Sequence, residues 1–386
     1  MPIVVGWSGR YRMPNRTHRV LQMIDGVLQM IGNMKKTTWA ATAILAVLSG
    51  SATAAEKAPN LMEMPDFYGR IWLGVTASEN GIASKEKVDG IALENYASRL
   101  GLKGDYQVNG DLTLFYQAEV GVDAFEEDDK NEPFNSRDTF LGVEGYYGSV
   151  LVGRKNTVVK SSEGPVDVFN ATNADMGYLI AGQERLADQL VASSANYQGW
   201  TLHSTVLFED DFGDDAELDG ASNVALSAHF GDKKFKSSPL FTSVTWADGL
   251  NGLDVMRLVA AYKLGPWQLG ALYQDTDSLV YPELGGSSYL ASVKYKSGQH
   301  TVKAQFISDD AGLGKVVKNA VAENGDSRSD LTDSSSYNVS VGYDYQVTKA
   351  LTVSAVASYH DGDYQTTATT VDFDDSLLTL HSRFVF

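Results

Sequence analysis

The charged residues that could do chemistry here are arginines in strand-like segments and carboxylates on one long connection. Arg99 and Arg137 lie where apolar and polar residues alternate, whereas most of the stretch 148–185 has no regular period. A connection of this length is usually functional or disordered, and this one is too apolar and aromatic for disorder. Guanidinium and carboxylate groups opposed across a narrow, partly desolvated space create a field that orients dipolar solutes and disfavours apolar ones. The alternative is that these arginines pair with their own neighbours or simply fill the space.

Covalent and metal chemistry are not indicated. The chain has no cysteine, which excludes disulfides, thiolate catalysis and cysteine metal sites. Gly6-Trp7-Ser8-Gly9 is followed by Arg10 and so lacks the last glycine of a serine-hydrolase elbow. Gly312-Leu313-Gly314-Lys315 lacks the upstream glycine and the Ser/Thr of a phosphate-binding loop. The histidines after the leader have no metal-ligand spacing: His203, His229, His300, His360 and His381. We therefore expect no enzyme activity, cofactor or metal site.

From Asp66 onward the hydrophobic pattern has a period of two, which is typical of strands with one apolar and one polar face. In the segment 337–346, for example, tyrosine and valine alternate with polar residues and glycine. Sixteen such segments are present, at 66–78, 95–106, 109–123, 136–146, 148–156, 185–198, 200–210, 221–231, 238–248, 254–264, 267–276, 287–296, 299–309, 335–347, 350–360 and 376–386.

The connections between these segments predict the architecture. Every second one is short, such as Val108-Asn109-Gly110-Asp111, and Asn-Gly is the strongest short-range hairpin signal. The intervening ones are long and acidic, at 126–132, 209–220, 308–334 and 361–375. A barrel with short periplasmic turns and long extracellular loops explains this alternation, and a soluble sandwich does not. A spanning sheet must also close, because unpaired backbone groups are costly in hydrocarbon. The sequence therefore predicts an all-β fold, a 16-stranded antiparallel transmembrane β-barrel occupying residues 55–386, with a polar lumen.

A secretory leader precedes the barrel. Met34-Lys35-Lys36 is a basic start, Trp39 to Leu48 is a short apolar run, and Ala52-Thr53-Ala54 matches a signal-peptidase site. We interpret 34–54 as a signal peptide. Residues 1–33 are interpreted as an upstream extension from a misassigned start, with Met34 the true first residue; an unusually long basic region is the alternative.

The net charge points to cations. The first 55 residues hold 6 of the 31 basic and 1 of the 49 acidic residues, which leaves 25 basic and 48 acidic residues, a net charge of −23. Such a body repels nucleic acid and attracts cations.

Several motifs together resemble the general trimeric porins of Gram-negative outer membranes, over residues 66–386. They are Phe67-Tyr68-Gly69-Arg70, the run Ser98-Arg99-Leu100-Gly101-Leu102-Lys103-Gly104, Ser136-Arg137, Val152-Gly153-Arg154 and the terminal Phe386. Each motif is weak alone, but their order and spacing are specific. The resemblance implies a homotrimer. The segments 136–146 and 148–156 are the expected contact strands, because their alternation is poorest and a protein–protein face need not match lipid. It also implies that Phe386 is an assembly signal for the outer-membrane insertion machinery.

The resemblance further implies that the connection after the fifth segment (loop 3) folds into the barrel and narrows the pore. The basic wall opposite it would be Arg70, Arg99, Arg137, Arg154 and Arg185. The acidic residues on the loop would be Asp167, with Glu163 and Asp175 as neighbours. Where the family often has Pro-Glu-Phe-Gly-Gly, this chain has 170–175, Asn-Ala-Thr-Asn-Ala-Asp, so the position of a second loop carboxylate stays open.

The expected function is that of an outer-membrane porin, a passive channel for small hydrophilic solutes and ions with a cation preference. Its expected partners are outer-membrane lipid and lipopolysaccharide, and no nucleic acid. Two alternatives stay open: a substrate-specific channel, and a surface adhesin or receptor acting through the long acidic loops. Those loops form either a solvated rim or a divalent-cation bridge to lipopolysaccharide phosphates.

Overall fold

A computed structural model describes residues 64–123, 125, 133–209 and 222–386. The leader, the predicted extension 1–33 and the acidic segments 126–132 and 210–220 lie outside these residues. The described chain forms one antiparallel sheet that closes on itself, since the first strand pairs with the last. Its strands are β1 Asp66–Ser78, β2 Gly90–Asn95, β3 Arg99–Gln107, β4 Thr113–Val122, β5 Phe134–Gly145, β6 Gly148–Asn156, β7 Arg185–Ser194, β8 Trp200–Leu207, β9 Val224–Gly231, β10 Leu240–Leu250, β11 Leu253–Leu264, β12 Trp267–Ser278, β13 Gly285–Ser297, β14 His300–Asp309, β15 Leu331–Gln346, β16 Leu351–Thr366 and β17 Thr370–Val385.

These strands occupy sixteen positions around the barrel, because β2 and β3 are two parts of one interrupted strand. Both pair with β1, β2 up to Leu73–Asn95 and β3 from Arg70–Arg99. Between them Ala97 has a φ of 60°, and the Ser98 hydroxyl accepts the Trp72 N–H at 2.9 Å. The predicted 16-stranded antiparallel barrel is thus confirmed.

The outer face of the barrel is apolar, and the inner face carries polar residues except where the wall packs on the inward connections, at residues such as Leu272, Leu290 and Ile307. On β12, Leu269 is 49% exposed on the outer face, whereas Gln268 and Gln274 are 8% and 0% exposed on the inner face. On β15, Val339 and Val341 are likewise exposed outward while Asn338 and Ser340 are buried. This is the reverse of a small soluble barrel, and it is what a lipid exterior and a wet interior require. In the described residues no helix is long and apolar enough to cross a membrane.

The connections opposite the short turns are less uniform than predicted. Those at 251–252, 279–284 and 367–369 are short. The prediction of an acidic loop at 361–375 is wrong. Most of this segment is strand, because β16 runs to Thr366 and β17 begins at Thr370. Here the hairpin rises beyond the lipid, so its outward face is aspartate while Tyr364 and Phe373 are buried inside. In this hairpin the outward positions are polar and the inward positions include aromatic residues, the reverse of the pattern within the lipid. The polar residues make the sequence resemble that of a loop.

The connection between β6 and β7, residues 157–184, folds into the barrel as predicted and is called the inward loop. It contains the short helix α1 Val158–Ser161 and a 3-10 turn Met176–Tyr178. Two further connections pack on it: the first loop, 79–89, and the segment 310–330 with its helix α2 Lys315–Glu323. Their buried side chains form one apolar cluster: Ile82 and Ala83, Tyr178, Leu179 and Ile180, and Val316, Val317, Ala320 and Val321.

Candidate pore constriction

The inward loop leaves a cavity of about 590 Å³ between itself and the wall formed by β1 to β7. We call this space the gap. Its lining is strongly charged. The basic members are Arg70, Lys85, Arg99, Lys103, Arg137, Lys160, Arg185 and Lys315, and the acidic members are Glu119, Asp138, Glu163 and Asp175. Eight basic against four acidic side chains leave an excess of four positive charges.

Two arginines of the wall share one buried carboxylate. Glu119 on β4 is 5% exposed and pairs with Arg99 Nε at 3.1 Å and with Arg137 Nε at 2.5 Å. The Tyr68 hydroxyl also donates to Glu119, at 3.0 Å. A β-bulge on β5 sets Arg137 and Asp138 against the single residue Glu119 of β4, because Ala118 pairs with Thr139 and Val120 with Ser136. These ion pairs join neighbouring strands of the wall and do not cross the gap, so Arg99 and Arg137 pair with their own neighbours.

The remaining predicted arginines differ in their surroundings. Arg185 on β7 pairs with Asp138 on β5. Arg70 donates to the Ala97 carbonyl from Nε and Nη2, at 3.2 and 3.0 Å, and its guanidinium lies 4.6 Å from the Trp72 ring centre. Arg154 lies on β6 opposite Thr139 and does not line the gap. The structure thus brings together four of the five predicted arginines.

The three loop carboxylates divide between the gap and the interior of the loop. Glu163 and Asp175 line the gap, where Glu163 accepts from Asn170 Nδ2 at 3.1 Å. Asp175 also accepts the backbone N–H groups of Ala171 and Gly177. Asp167 does not line the gap, and it accepts the N–H groups of Phe169 and Met176 at 2.9 and 3.2 Å. In the described residues no ion pair joins the wall arginines to Glu163 or Asp175.

With this geometry established, comparison with known proteins identifies the family. A family model described as Gram-negative porin matches residues 40–365. The chain belongs to the Gram-negative porin family. Membership in this family, together with the apolar outer face, places the barrel in the outer membrane of a Gram-negative cell.

Individual relatives are distant. The porin is 27% identical over 127 residues to the major outer membrane protein P.IB of Neisseria sicca, a match covering 32% of this chain and 34% of that protein. It thus spans about a third of that relative's length. Two solved structures share the fold. The trimer form of OmpT from Vibrio cholerae is 15% identical, with a TM-score of 0.58; the match covers 84% of this chain and 99% of that one. An anion-selective porin from Comamonas acidovorans is 16% identical, with a TM-score of 0.56; the match again covers 84% of this chain and 99% of that one.

One residue missing from the sequence-based site holds this porin's inward loop in place. Arg257 on β11 is fully buried and donates to the Val159 carbonyl at 2.6 Å and to the Ala181 carbonyl at 3.1 Å, so it ties both legs of the loop to the wall. Its Nε donates to Gln274 at 2.6 Å. The signal in the sequence was a single arginine in an otherwise apolar strand pattern, where a lipid-facing charge would cost roughly 2–4 kcal/mol.

The tip of the inward loop is held by a second buried polar group. Asn173 Nδ2 donates to Glu94 at 2.7 Å and to the Thr76 hydroxyl at 3.2 Å. Glu94 is fully buried and also accepts from Tyr96 and Thr76. The segment 170–175, which departs from the family's usual stretch, therefore supplies a tether to β1 and β2.

Glu119 gives a direct test of the charge at the gap. Glu119→Gln should shift ion selectivity of the porin toward anions, because the excess of positive charge in the lining rises from four to five while the side-chain volume is kept. The shift is read as the zero-current potential across a KCl gradient. Asp105→Asn is the matched control, since Asp105 lies on β3 outside the gap and is exposed. Equal shifts in both variants would show that the gap does not set selectivity.

Proposed function

We propose that this porin is a passive diffusion channel for small hydrophilic solutes and ions, and that it is not an enzyme. The observation that carries the proposal is a closed barrel with a polar interior, narrowed by an inward loop to a charged gap. A solute crossing the gap exchanges part of its hydration for contacts with fixed charges, so size and charge decide passage.

The charge of the gap favours anions, in contrast to the cation preference predicted from the total charge. A permeating ion passes the eight basic side chains at close range, whereas exposed charges farther away than about 8 Å are largely screened at physiological ionic strength. Burial also raises the pKa of Glu163 to about 7, so this carboxyl is partly neutral at neutral pH. As the pH rises through 7, Glu163 becomes charged and the anion preference should weaken. The cation preference stays an untested prediction.

We also propose a homotrimer in contact with outer-membrane lipid and lipopolysaccharide, as the trimer form of the Vibrio protein suggests for this fold. The assembly role of Phe386 remains part of this proposal. Phe386 closes the barrel by donating its N–H to the Gly69 carbonyl at 3.1 Å, and its ring lies 6.2 Å from that of Phe67 and 5.8 Å from that of Phe384. Its aromatic side chain is therefore exposed on the outer face at the seam, where an insertion machinery could read it.

The two alternative functions receive unequal support. An adhesin or receptor would present its long loops outward, but the first loop and α2 pack inward on the inward loop. A substrate-specific channel is favoured by one observation, the cluster of lysines that these two segments bring to the outer side of the gap.

Planar-bilayer recording of the purified, folded porin tests the proposal. We expect stepwise current increments that grow in proportion to salt concentration, and swelling of porin-containing liposomes in small neutral sugars. The proposal is falsified if folded protein gives neither currents nor swelling.

A further inference from the structure

A second cavity of about 550 Å³ adjoins the gap on the side of the long connections, and we call it the outer chamber. It is enclosed by the first loop, by α2 and by the ends of β4 and β5. Lys85, Arg137 and Lys315 line both the outer chamber and the gap, so the two spaces are continuous. A solute that enters from the side of the long connections can therefore pass through the chamber before it reaches the gap.

The outer chamber is basic. Five basic residues, Lys85, Lys87, Arg137, Lys315 and Lys318, line it together with the acidic residues Glu86 and Asp123. No ion pair engages Lys85 or Lys315 within the part of the chain that the structure describes. Their ammonium groups instead lie over aromatic rings, 5.3 Å from the centre of Tyr96 and 5.5 Å from that of Tyr178. Such rings stabilise a cation without neutralising it.

Lys85 and Lys315 also repel each other. Burial, and then the charge of Lys315, lower the pKa of Lys85, while the weaker effects of Asp175 and Glu94 raise it. Repulsion between two ammonium groups that line the same chamber is unfavourable by itself, and a multivalent anion between them would relieve it. This arrangement differs from the wall of the gap, where Arg99 and Arg137 already share Glu119.

The two lysines are held in position by packing that involves no ligand. Ile82 and Ala83 beside Lys85, and Val316 and Val317 beside Lys315, are buried in the same apolar cluster. Asn319 Nδ2 on α2 donates to the Ile82 carbonyl of the first loop at 2.8 Å. A site whose charges are fixed before the ligand arrives loses less entropy on binding.

We propose that the outer chamber binds compact multivalent oxyanions, such as inorganic phosphate or the phosphoryl group of a small solute, before they enter the gap. Lysine ammonium groups act as point charges and so select for charge density rather than for a planar, bidentate shape. The chamber volume lies within the usual range for small-molecule sites. This inference deepens the proposed channel function and rests on it.

Block of the chloride current by phosphate tests the chamber. Inorganic phosphate is added to the bilayer on the side of the long connections, in KCl at constant ionic strength. We expect a saturable decrease of the wild-type current. Lys85→Gln and Lys315→Gln should each raise the half-blocking concentration roughly three- to fivefold, the upper end of the range for a solvent-exposed ion pair. Lys315→Arg, which keeps the charge, should retain the block.

Lys349→Gln is the matched control, because Lys349 is exposed on the turn between β15 and β16, at the other end of the barrel. Phosphate should block this variant at the same half-blocking concentration as the wild type. Equal half-blocking concentrations in the wild type, Lys85→Gln and Lys315→Gln would overturn the inference. Complete absence of channels would contradict the proposed function instead. Titration calorimetry of phosphate into folded wild type and the Lys85→Gln/Lys315→Gln double variant then decides the chamber independently: weaker binding by the variant supports it, and equal or no binding refutes it.

Discussion

Replacing Arg257 by methionine should release the inward loop and raise the single-channel conductance. Methionine fills much of the volume but donates no hydrogen bond, so the carbonyls of Val159 and Ala181 and the side-chain oxygen of Gln274 lose the guanidinium. The two carbonyls keep a second donor each, the Ser162 hydroxyl and Gln274 Nε2, whereas the Gln274 oxygen is left unpaired. Hydrogen bonds to a charged group contribute about 1.5–3 kcal/mol each, so we expect docking of the loop to weaken by roughly 3 kcal/mol. Tryptic cleavage after Lys160 should increase with the conductance.

Lys263→Met is the control for the loss of one positive charge. Lys263 lies on the same strand as Arg257 and is exposed. Its replacement should leave the conductance step and the tryptic pattern close to those of the wild type. Arg257→Lys keeps the charge and part of the hydrogen bonding, and should fall between the wild type and Arg257→Met. Wild-type conductance and protease resistance in Arg257→Met would mean that other contacts hold the loop.

Asp375→Ala should loosen the first loop where it leaves the wall. Asp375 is fully buried on β17, and its carboxylate accepts the Ser78 hydroxyl at 2.8 Å and the backbone N–H groups of Glu79, Asn80 and Ala83 at 2.9–3.1 Å. Without it, the backbone N–H groups of Asn80 and Ala83 and the Ser78 hydroxyl lose this acceptor, whereas the Glu79 N–H keeps the Ser376 carbonyl at 3.1 Å. We expect a loss of roughly 3 kcal/mol in the free energy of unfolding, measured by urea titration in detergent, and faster tryptic cleavage after Lys85 and Lys87.

The neighbouring Asp374→Ala is the matched control. The Asp374 side chain lies on the outer face of the hairpin, and only its backbone carbonyl is used, accepting from Asn80 Nδ2 at 2.9 Å. That hydrogen bond survives the change to alanine. If the two alanine variants unfold at the same urea concentration and are cleaved at the same rate, Asp375 does not fasten the first loop.

The barrel could be predicted from the sequence because the lipid and the lumen impose opposite demands on alternate residues. In segments such as 337–346 every second residue is apolar, so the number of strands and the face that each residue lies on could be predicted directly. The prediction failed at 361–375, where the wall leaves the lipid. There aspartates face water outside while Tyr364 and Phe373 face an apolar interior, and the same alternation has the opposite meaning.

The site was only half predictable, because its charges depend on pairing across strands. Arg99 and Arg137 were predictable as inward-facing arginines, since a lipid-facing charge is costly. Their shared partner, Glu119, depends on the β-bulge on β5, which no local pattern shows. Asp167 has the residue type expected at the gap, yet its carboxylate serves the backbone of the loop itself. Distinguishing a capping carboxylate from one that faces solutes requires the coordinates of the loop.

The zero-current potential of the wild-type channel across a KCl gradient distinguishes control of selectivity by the gap from control by the acidic body. If the gap, with its excess of four positive charges, governs selectivity, the potential has the sign set by chloride. It becomes smaller as the pH is raised through 7 and Glu163 ionises. A potential of the sign set by potassium, unchanged over that pH range, would show that the acidic body governs selectivity instead.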